Sequence, residues 1–210
     1  MAQTSLLELL IATHNRGKVR EIEDALKELP LKPRYLHEFP HVPSIEESGS
    51  SYAQNASIKA KFYSDETGLC SLADDSGLEV EALGGAPGLK SARFAGAGAT
   101  DEERTRLLLL ELNKTNDRNR RARFVCVVAI VIGGSTNILT GTCKGKIADA
   151  PRGTNGFGFD PIFIPDGLES TFAELPTDVK SSMSHRGKAL ASAREYLFSW
   201  LHQDRLGVVS

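Results

Sequence analysis

The sequence predicts a mixed α/β fold, and three observations carry that expectation. An apolar run at residues 6–12 breaks into a polar turn and then into a helical pattern. Residues 122–132 are an apolar stretch rich in valine and isoleucine, interrupted by Arg123, and after Gly133-Gly134 the chain returns at 138–147. From Ser184 onward, apolar residues recur at the spacing of a helix face.

The first segment, Leu-Leu-Glu-Leu-Leu-Ile-Ala, has the length of a strand and ends in Thr13-His14-Asn15-Arg16-Gly17. Val19, Ile22, Leu26 and Leu29 then share one helical face, and Pro30 closes it. Residues 31–49 hold Pro33, Pro40 and Pro43 and read as irregular, ending in Ile45-Glu46-Glu47-Ser48-Gly49. Helix returns from Ser50 to about Ser64, with Tyr52, Ala56, Ala60 and Tyr63 near helical spacing.

Residues 69–73 read as a short buried strand running into a turn at Asp74-Asp75-Ser76-Gly77. A further strand is expected at 78–83, then a loop at Gly84-Gly85-Ala86-Pro87-Gly88. Thr100-x-x-Glu103 is a capping box ahead of a leucine-rich helix. The run at 122–132 suits a strand buried on both faces, and its return past Gly133-Gly134 makes a long hairpin. Residues 153–160 form a glycine-rich loop. In the last helix Leu190, Ala193, Leu197, Trp200 and Leu201 are expected to face inward. No repeat or linker divides the chain, so residues 1–210 are expected to form a single domain.

At 210 residues and 40% hydrophobic content, the chain is long enough to bury a sizeable core. A net charge of −2 gives no overall positive field to recruit nucleic acid or an anionic membrane. Cys70, Cys126 and Cys143 are widely spaced and form no C-x-x-C pair, so they read as reduced thiols in or near the core. No basic leader and no apolar span long enough for a bilayer stands out, which makes the cytoplasm the expected compartment.

Several segments could carry chemistry. Thr13, His14, Asn15, Arg16, Gly17 and Lys18 lie between strand and helix, where free N–H groups and the helix dipole favour phosphate. This is no Walker A loop, since Ala12 and Val19 replace the glycine and the hydroxyl residue that motif needs. An ordinary strand–helix turn explains it equally well. Glu46-Glu47 and Asp74-Asp75 are acidic pairs, and a carboxylate from each would suit magnesium, which takes one or two carboxylates plus water and phosphate. A solvated loop and an Asp-Gly turn are the plainer alternatives.

Lys59, Lys180 and Arg186 are isolated cations, of the kind that solvent usually surrounds. His185-Arg186 at a helix start is less ordinary, because positive charge there opposes the dipole. In Gly153-Thr-Asn-Gly-Phe157-Gly158-Phe159-Asp160 a flexible backbone could bring a ring against a nucleobase, or the two rings could simply anchor the loop.

In order along the chain, these segments resemble the inosine triphosphate pyrophosphatase family. The likeness runs from about residue 7 to residue 201. It rests on Ala12-Thr-His-Asn-Arg-Gly-Lys18, Glu46-Glu47-Ser48-Gly49, Asn55-Ala56-x-x-Lys59-Ala60, Ala73-Asp-Asp-Ser-Gly77, Gly84-Gly-Ala-Pro-Gly88 with Ser91-Ala-Arg93, Gly156-Phe-Gly-Phe-Asp160 and Ser184-His-Arg-Gly187.

That resemblance implies an elongated α/β fold with a long mixed central sheet flanked by helices, and usually a homodimer. It implies magnesium-dependent hydrolysis of ITP, dITP or XTP to the monophosphate and pyrophosphate. Thr13, His14, Asn15, Arg16, Gly17, Lys18 and Lys59 would grip the triphosphate, with Ser76 also at the substrate. Glu46 and Asp75 would hold magnesium, and Asp75 would orient or deprotonate the attacking water. Phe157, Gly158, Phe159, Asp160, Lys180, His185 and Arg186 would form the purine pocket. Two positions depart from the family pattern: His14 stands where glycine is common, and Phe159 where tyrosine is common.

Three rival readings stand beside this one. A related pyrophosphatase could act on pyrimidine nucleotides, against which His185-Arg186 argues. A nucleotide sensor that never hydrolyses its ligand has little need of Glu46 and Asp75. A nucleic-acid-binding protein is poorly served by a chain without a basic stripe.

Overall fold

The computed structural model describes residues 6–115 and 117–205. Its sheet has six strands in the order β2-β1-β3-β4-β5-β6. They are β1 (Leu7–Ile11), β2 (Leu31–Tyr35), β3 (Cys70–Val80), β4 (Arg121–Ile132), β5 (Ser135–Ile147) and β6 (Phe163–Pro165). β1 pairs in parallel with both β2 and β3, while β5 and β6 pair antiparallel, so the sheet is mixed. Among the described residues five α-helices flank it: α1 (Arg16–Leu26), α2 (Tyr52–Thr67), α3 (Asp101–Lys114), α4 (Thr177–Met183) and α5 (His185–Arg205).

The chain divides into two compact units. One takes in the residues up to Asp75, Val127–Thr140 and those from Ala189 on. The other takes in Ser76–Cys126 and Gly141–Lys188.

In the first unit, Asn15 caps α1 by accepting from the Lys18 backbone N–H at 3.1 Å. Ile22 and Leu26 are the buried face of that helix. Ser51 caps α2, which ends on Gly68 in the left-handed conformation (φ 69°) that glycine tolerates best. Asn55, Ala56, Ala60 and Tyr63 form its buried stripe. The turn at Gly133-Gly134 has φ values of 57° and 74°, as a tight two-residue hairpin requires.

In the second unit, Thr100 and Glu103 make the predicted capping box at the start of α3. Leu108 and Leu112 of α3 belong to a core with Phe124, Ile147, Phe159, Phe163 and Phe172. The Phe124 and Phe163 rings meet edge to face at 4.7 Å, and Phe163 lies 5.1 Å from Phe172.

Several elements differ from the sequence reading, the short strand β6 among them, since no element was expected at residues 163–165. Residues 31–35 are a strand rather than irregular chain. Pro33 is accommodated because β2 is the edge of the sheet and has a partner on one side alone. The two strands expected at 69–73 and 78–83 are one continuous strand, β3, that runs straight through Asp74-Asp75-Ser76-Gly77. The short helix α4 has no counterpart in the sequence reading. The three cysteines are free thiols, Cys126 and Cys143 buried and Cys70 partly so.

Candidate active site

In the first unit, β1, α1, α2 and β3 together build a buried charge network. Asp74 and Asp75 lie within β3 at 1% and 5% exposure. Buried carboxylates are tolerable when cations and donors meet them, and here both are supplied. Lys18, in the first turn of α1, pairs with Asp74 Oδ2 at 3.0 Å. Lys59 sends Nζ to the Asp74 backbone oxygen at 2.6 Å and to Glu47 Oε1 at 2.5 Å. Asn55 lies one turn before Lys59 on the same face of α2, and donates Nδ2 to Asp75 Oδ2 at 2.9 Å. The Asn55 oxygen accepts from the Gly49 N–H at 2.8 Å, which fixes the preceding loop.

Burial pushes the Asp75 carboxyl above its ordinary value. The Lys59 charge and the Asn55 hydrogen bond pull it down without cancelling the rise. For Lys59 burial acts the other way, disfavouring the charged form, but Asp74, Glu47 and Asp75 outweigh it and the ammonium is held more firmly than usual. An acid whose charge is costly thus stands beside an ammonium, Lys59, whose charge is secure.

Thr13 accepts from the Asn15 N–H at 3.2 Å, shaping the turn. The Asn15 side-chain oxygen serves as helix cap, accepting from the Lys18 N–H. His14 and Arg16 are exposed. They line a cleft of about 480 Å³ with Thr13, Arg20, Tyr35 and His37. Gly17 is the second residue of α1. Glu46 is exposed, and the structure brings its neighbour Glu47 to Lys59 instead.

The second unit holds the other group of expected residues. The loop ahead of Pro161 is closed by Asp160, whose Oδ2 accepts from the Phe157 N–H at 2.9 Å and from Lys180 Nζ at 2.6 Å. Asp160 and Lys180 are 3% and 5% exposed, so this is a buried, hydrogen-bonded ion pair. Lys180 Nζ and the Arg186 guanidinium each stand over the Phe157 ring, 5.1 and 5.3 Å from its centre. Arg186 Nη2 also donates to Ser76 Oγ at 2.8 Å.

His185 opens α5 and is buried flat against Phe124, with ring centres 4.4 Å apart and planes 7° from parallel. Ser184 caps that helix by accepting from the Gly187 N–H at 3.0 Å. Gly158 N–H donates to Asp101 at 2.7 Å. The Phe159 ring lies in the core at 4% exposure.

The structure therefore gathers Lys18, Lys59 and Asp75 in one unit, and Ser76, Phe157, Asp160, Lys180 and Arg186 in the other. Sequence reasoning assigned no role to Asn55, although its spacing from Lys59 was a usable signal. Phe124 gave none, because a phenylalanine in an apolar strand looks like any other core residue. Among the described residues no group of three or more His, Cys, Asp or Glu side chains forms a metal cage. Nor is any described helix long and apolar enough to cross a membrane.

Residues 9–196 match the model of the Ham1 family. A dITP/XTP pyrophosphatase of Geobacter sulfurreducens is 44% identical over 193 residues, 91% of this chain and 97% of that protein. Another dITP/XTP pyrophosphatase, from Exiguobacterium, is 47% identical over 185 residues, 88% of this chain and 93% of that one. The solved structure of a HAM1 protein from Coxiella burnetii superposes with a TM-score of 0.86 at 43% identity, over 92% of this chain and all of that one.

Proposed function

This chain belongs to the Ham1 family, and from that premise we propose that it hydrolyses the nonstandard purine nucleoside triphosphates ITP, dITP and XTP. The products are the nucleoside monophosphate and pyrophosphate, and the reaction would rid the nucleotide pool of deaminated purines. The observation that carries this reading is the buried network in which Asp75 meets Asn55, and Asp74 meets Lys18 and Lys59. A binding protein gains little from keeping so unfavourable a carboxylate; a hydrolase needs a base of this kind.

In the proposed reaction, a water oxygen bonds to the α-phosphorus, the bond from that phosphorus to the α–β bridging oxygen breaks, and pyrophosphate departs. Asp75 accepts the water proton. Lys18 and Lys59 stand against the charge that builds on the leaving group. Thr13, His14, Asn15, Arg16 and Gly17 are assigned to the phosphates. Carboxylate oxygens suit magnesium, which takes one or two of them and completes its shell with water and substrate phosphate. Asp75, with Glu46 or the adjacent Glu47, would hold it. When bound, magnesium would supply charge neutralisation at the phosphates and keep Asp75 ionised.

Phe157, Gly158, Phe159, Asp160, Lys180, His185 and Arg186 are assigned to the base, and Ser76 to the substrate beside Arg186. A guanidinium donates to the 6-oxo group of hypoxanthine or xanthine. Adenine offers an amino donor there and would leave a buried donor unmatched, at about 1–3 kcal/mol. Guanine shares the 6-oxo group, so any rejection of GTP has to be made at the 2-position. We further propose a cytoplasmic homodimer; sedimentation at the mass of one chain would remove the dimer.

The deciding experiment is pyrophosphate release from ITP, XTP, dITP, GTP and ATP, with magnesium and with EDTA. Magnesium-dependent release from the first three and little from GTP and ATP is the expected result. Equal turnover of all five would overturn the base assignment and leave the chemistry. No release from any would leave a nucleotide-binding protein without hydrolysis.

A further inference from the structure

Asp101 is the first residue of α3, and its two carboxylate oxygens face different partners. Oδ2 accepts from the Gly158 N–H at 2.7 Å. Oδ1 is held by Arg104 Nη2. The other arm of that guanidinium donates to the backbone oxygens of Ala92 at 2.9 Å and Ala99 at 2.7 Å. Arg104 therefore orients Asp101, and Asp101 pins one peptide of the loop that carries Phe157 and Asp160. Gly158 has φ 64° and, with no side chain to wedge it, depends on its hydrogen bonds for its orientation. The neighbouring Phe157 N–H is fixed separately by Asp160. The peptide between Phe157 and Gly158 is thus held from α3, while the ring of Phe157 meets Lys180 and Arg186.

We infer that Asp101 is a positioning residue for base selection: a charge-assisted hydrogen bond from α3 sets the angle at which the Phe157–Gly158 peptide presents the Phe157 ring. This rests on the proposed assignment of Phe157 to the purine base. Asp101 acts through Gly158, so its loss changes how well one base is told from another rather than the bond-breaking step.

The test compares wild type, Asp101→Ala, Asp101→Asn and Glu102→Ala. In each, kcat and KM are measured for ITP and ATP, and amide hydrogen exchange is followed over residues 153–163. Asp101→Ala should lower kcat/KM for ITP by roughly tenfold, the worth of one such hydrogen bond, with most of the change in KM. The preference for ITP over ATP should narrow, and exchange in the loop should quicken. Asp101→Asn keeps an acceptor for Gly158 and should recover most of the preference. Glu102→Ala removes another acid from the same helix start, one that makes no hydrogen bond to the loop, and should change neither.

An unchanged preference and unchanged exchange in Asp101→Ala would overturn the inference. So would equal effects from Glu102→Ala, which would reduce Asp101 to a helix-start charge. A wild type that does not prefer ITP would instead sink the base assignment, while the exchange measurement still reports whether Asp101 holds the loop.

Discussion

Asn55 donates its side-chain amide to the Asp75 carboxylate at 2.9 Å, and the same side chain accepts from Gly49 at 2.8 Å. One buried amide thus joins the acidic loop to the candidate base. Its bond lowers the Asp75 carboxyl against the rise caused by burial. Asn55→Ala should therefore raise the Asp75 pKa further and move the acid limb of kcat/KM to higher pH. It also strips donor and acceptor of a partner at a site 1% exposed, which should cost about 1–3 kcal/mol in urea unfolding. An acid limb that stays in place would mean that some group other than Asp75 controls it.

Tyr35 donates to Glu23 on the wall of the cleft beside His14 and Arg16. That hydrogen bond, with burial and the charge of Glu23 behind it, pushes the phenol up to about 12. A raised pKa means the folded state keeps its proton after the unfolded chain has lost it. The contribution to stability is complete below the unfolded value near 10 and disappears as pH climbs through 12. The difference between the tyrosinate absorbance titrations of wild type and Tyr35→Phe should show a midpoint near 12. Glu23→Gln should bring it down toward 10. A wild-type midpoint already near 10 would show that the hydrogen bond does not persist in solution.

What could be read in the sequence was mostly local. The strand–turn–helix opening, the Thr100 capping box and the hairpin at Gly133-Gly134 each follow from residues within a few positions of one another. Pro33 hid β2, because proline argues against a strand unless the strand is known to be an edge, and that depends on its neighbours. Asp74-Asp75-Ser-Gly reads as a turn for a similar reason. Nothing nearby discloses that Lys18 and Lys59 will meet that segment and let two carboxylates stay inside a strand. Of the site, Lys59 and Lys180 are ordinary cations in the sequence and entered through family likeness alone. Glu47 and Glu46 are alternatives that no periodicity separates; the fold turns Glu47 toward Lys59.

Asp75→Asn should separate catalysis from stability. Losing a general base typically lowers the rate by about 10²–10⁴-fold, so turnover of ITP should nearly vanish. The folded protein should become more stable at pH 7, since the carboxylate is raised by burial and an amide removes that cost while still accepting from Asn55. The sign fixes the pH dependence. As pH falls through the raised folded value the native carboxyl takes up its proton, and below the unfolded value the wild type no longer bears the cost. The gain in melting temperature should therefore shrink in acid. A variant less stable than wild type at pH 7 would mean that the attraction of Lys59 outweighs burial.

Gly156 and Gly158 both have positive φ, at 78° and 64°, yet the two positions should respond very differently to alanine. At Gly158 a methyl group would meet nothing within 4 Å, leaving backbone strain of about 1–2 kcal/mol. At Gly156 it would lie 2.0 Å from Asp160 Oδ2 and 3.2 Å from Lys180 Nζ. Asp160 would have to swing away, separating the buried pair and freeing the Phe157 N–H. Breaking such a pair costs about 3–5 kcal/mol. Gly156→Ala should thus lower the melting temperature well beyond Gly158→Ala and erase the preference for ITP over ATP, because Lys180 would lose the anchor that holds it over Phe157. Thermal unfolding and the two specificity constants check both parts. Equal destabilisation by the two variants would show that backbone strain, and not the Asp160–Lys180 contact, makes glycine necessary at 156.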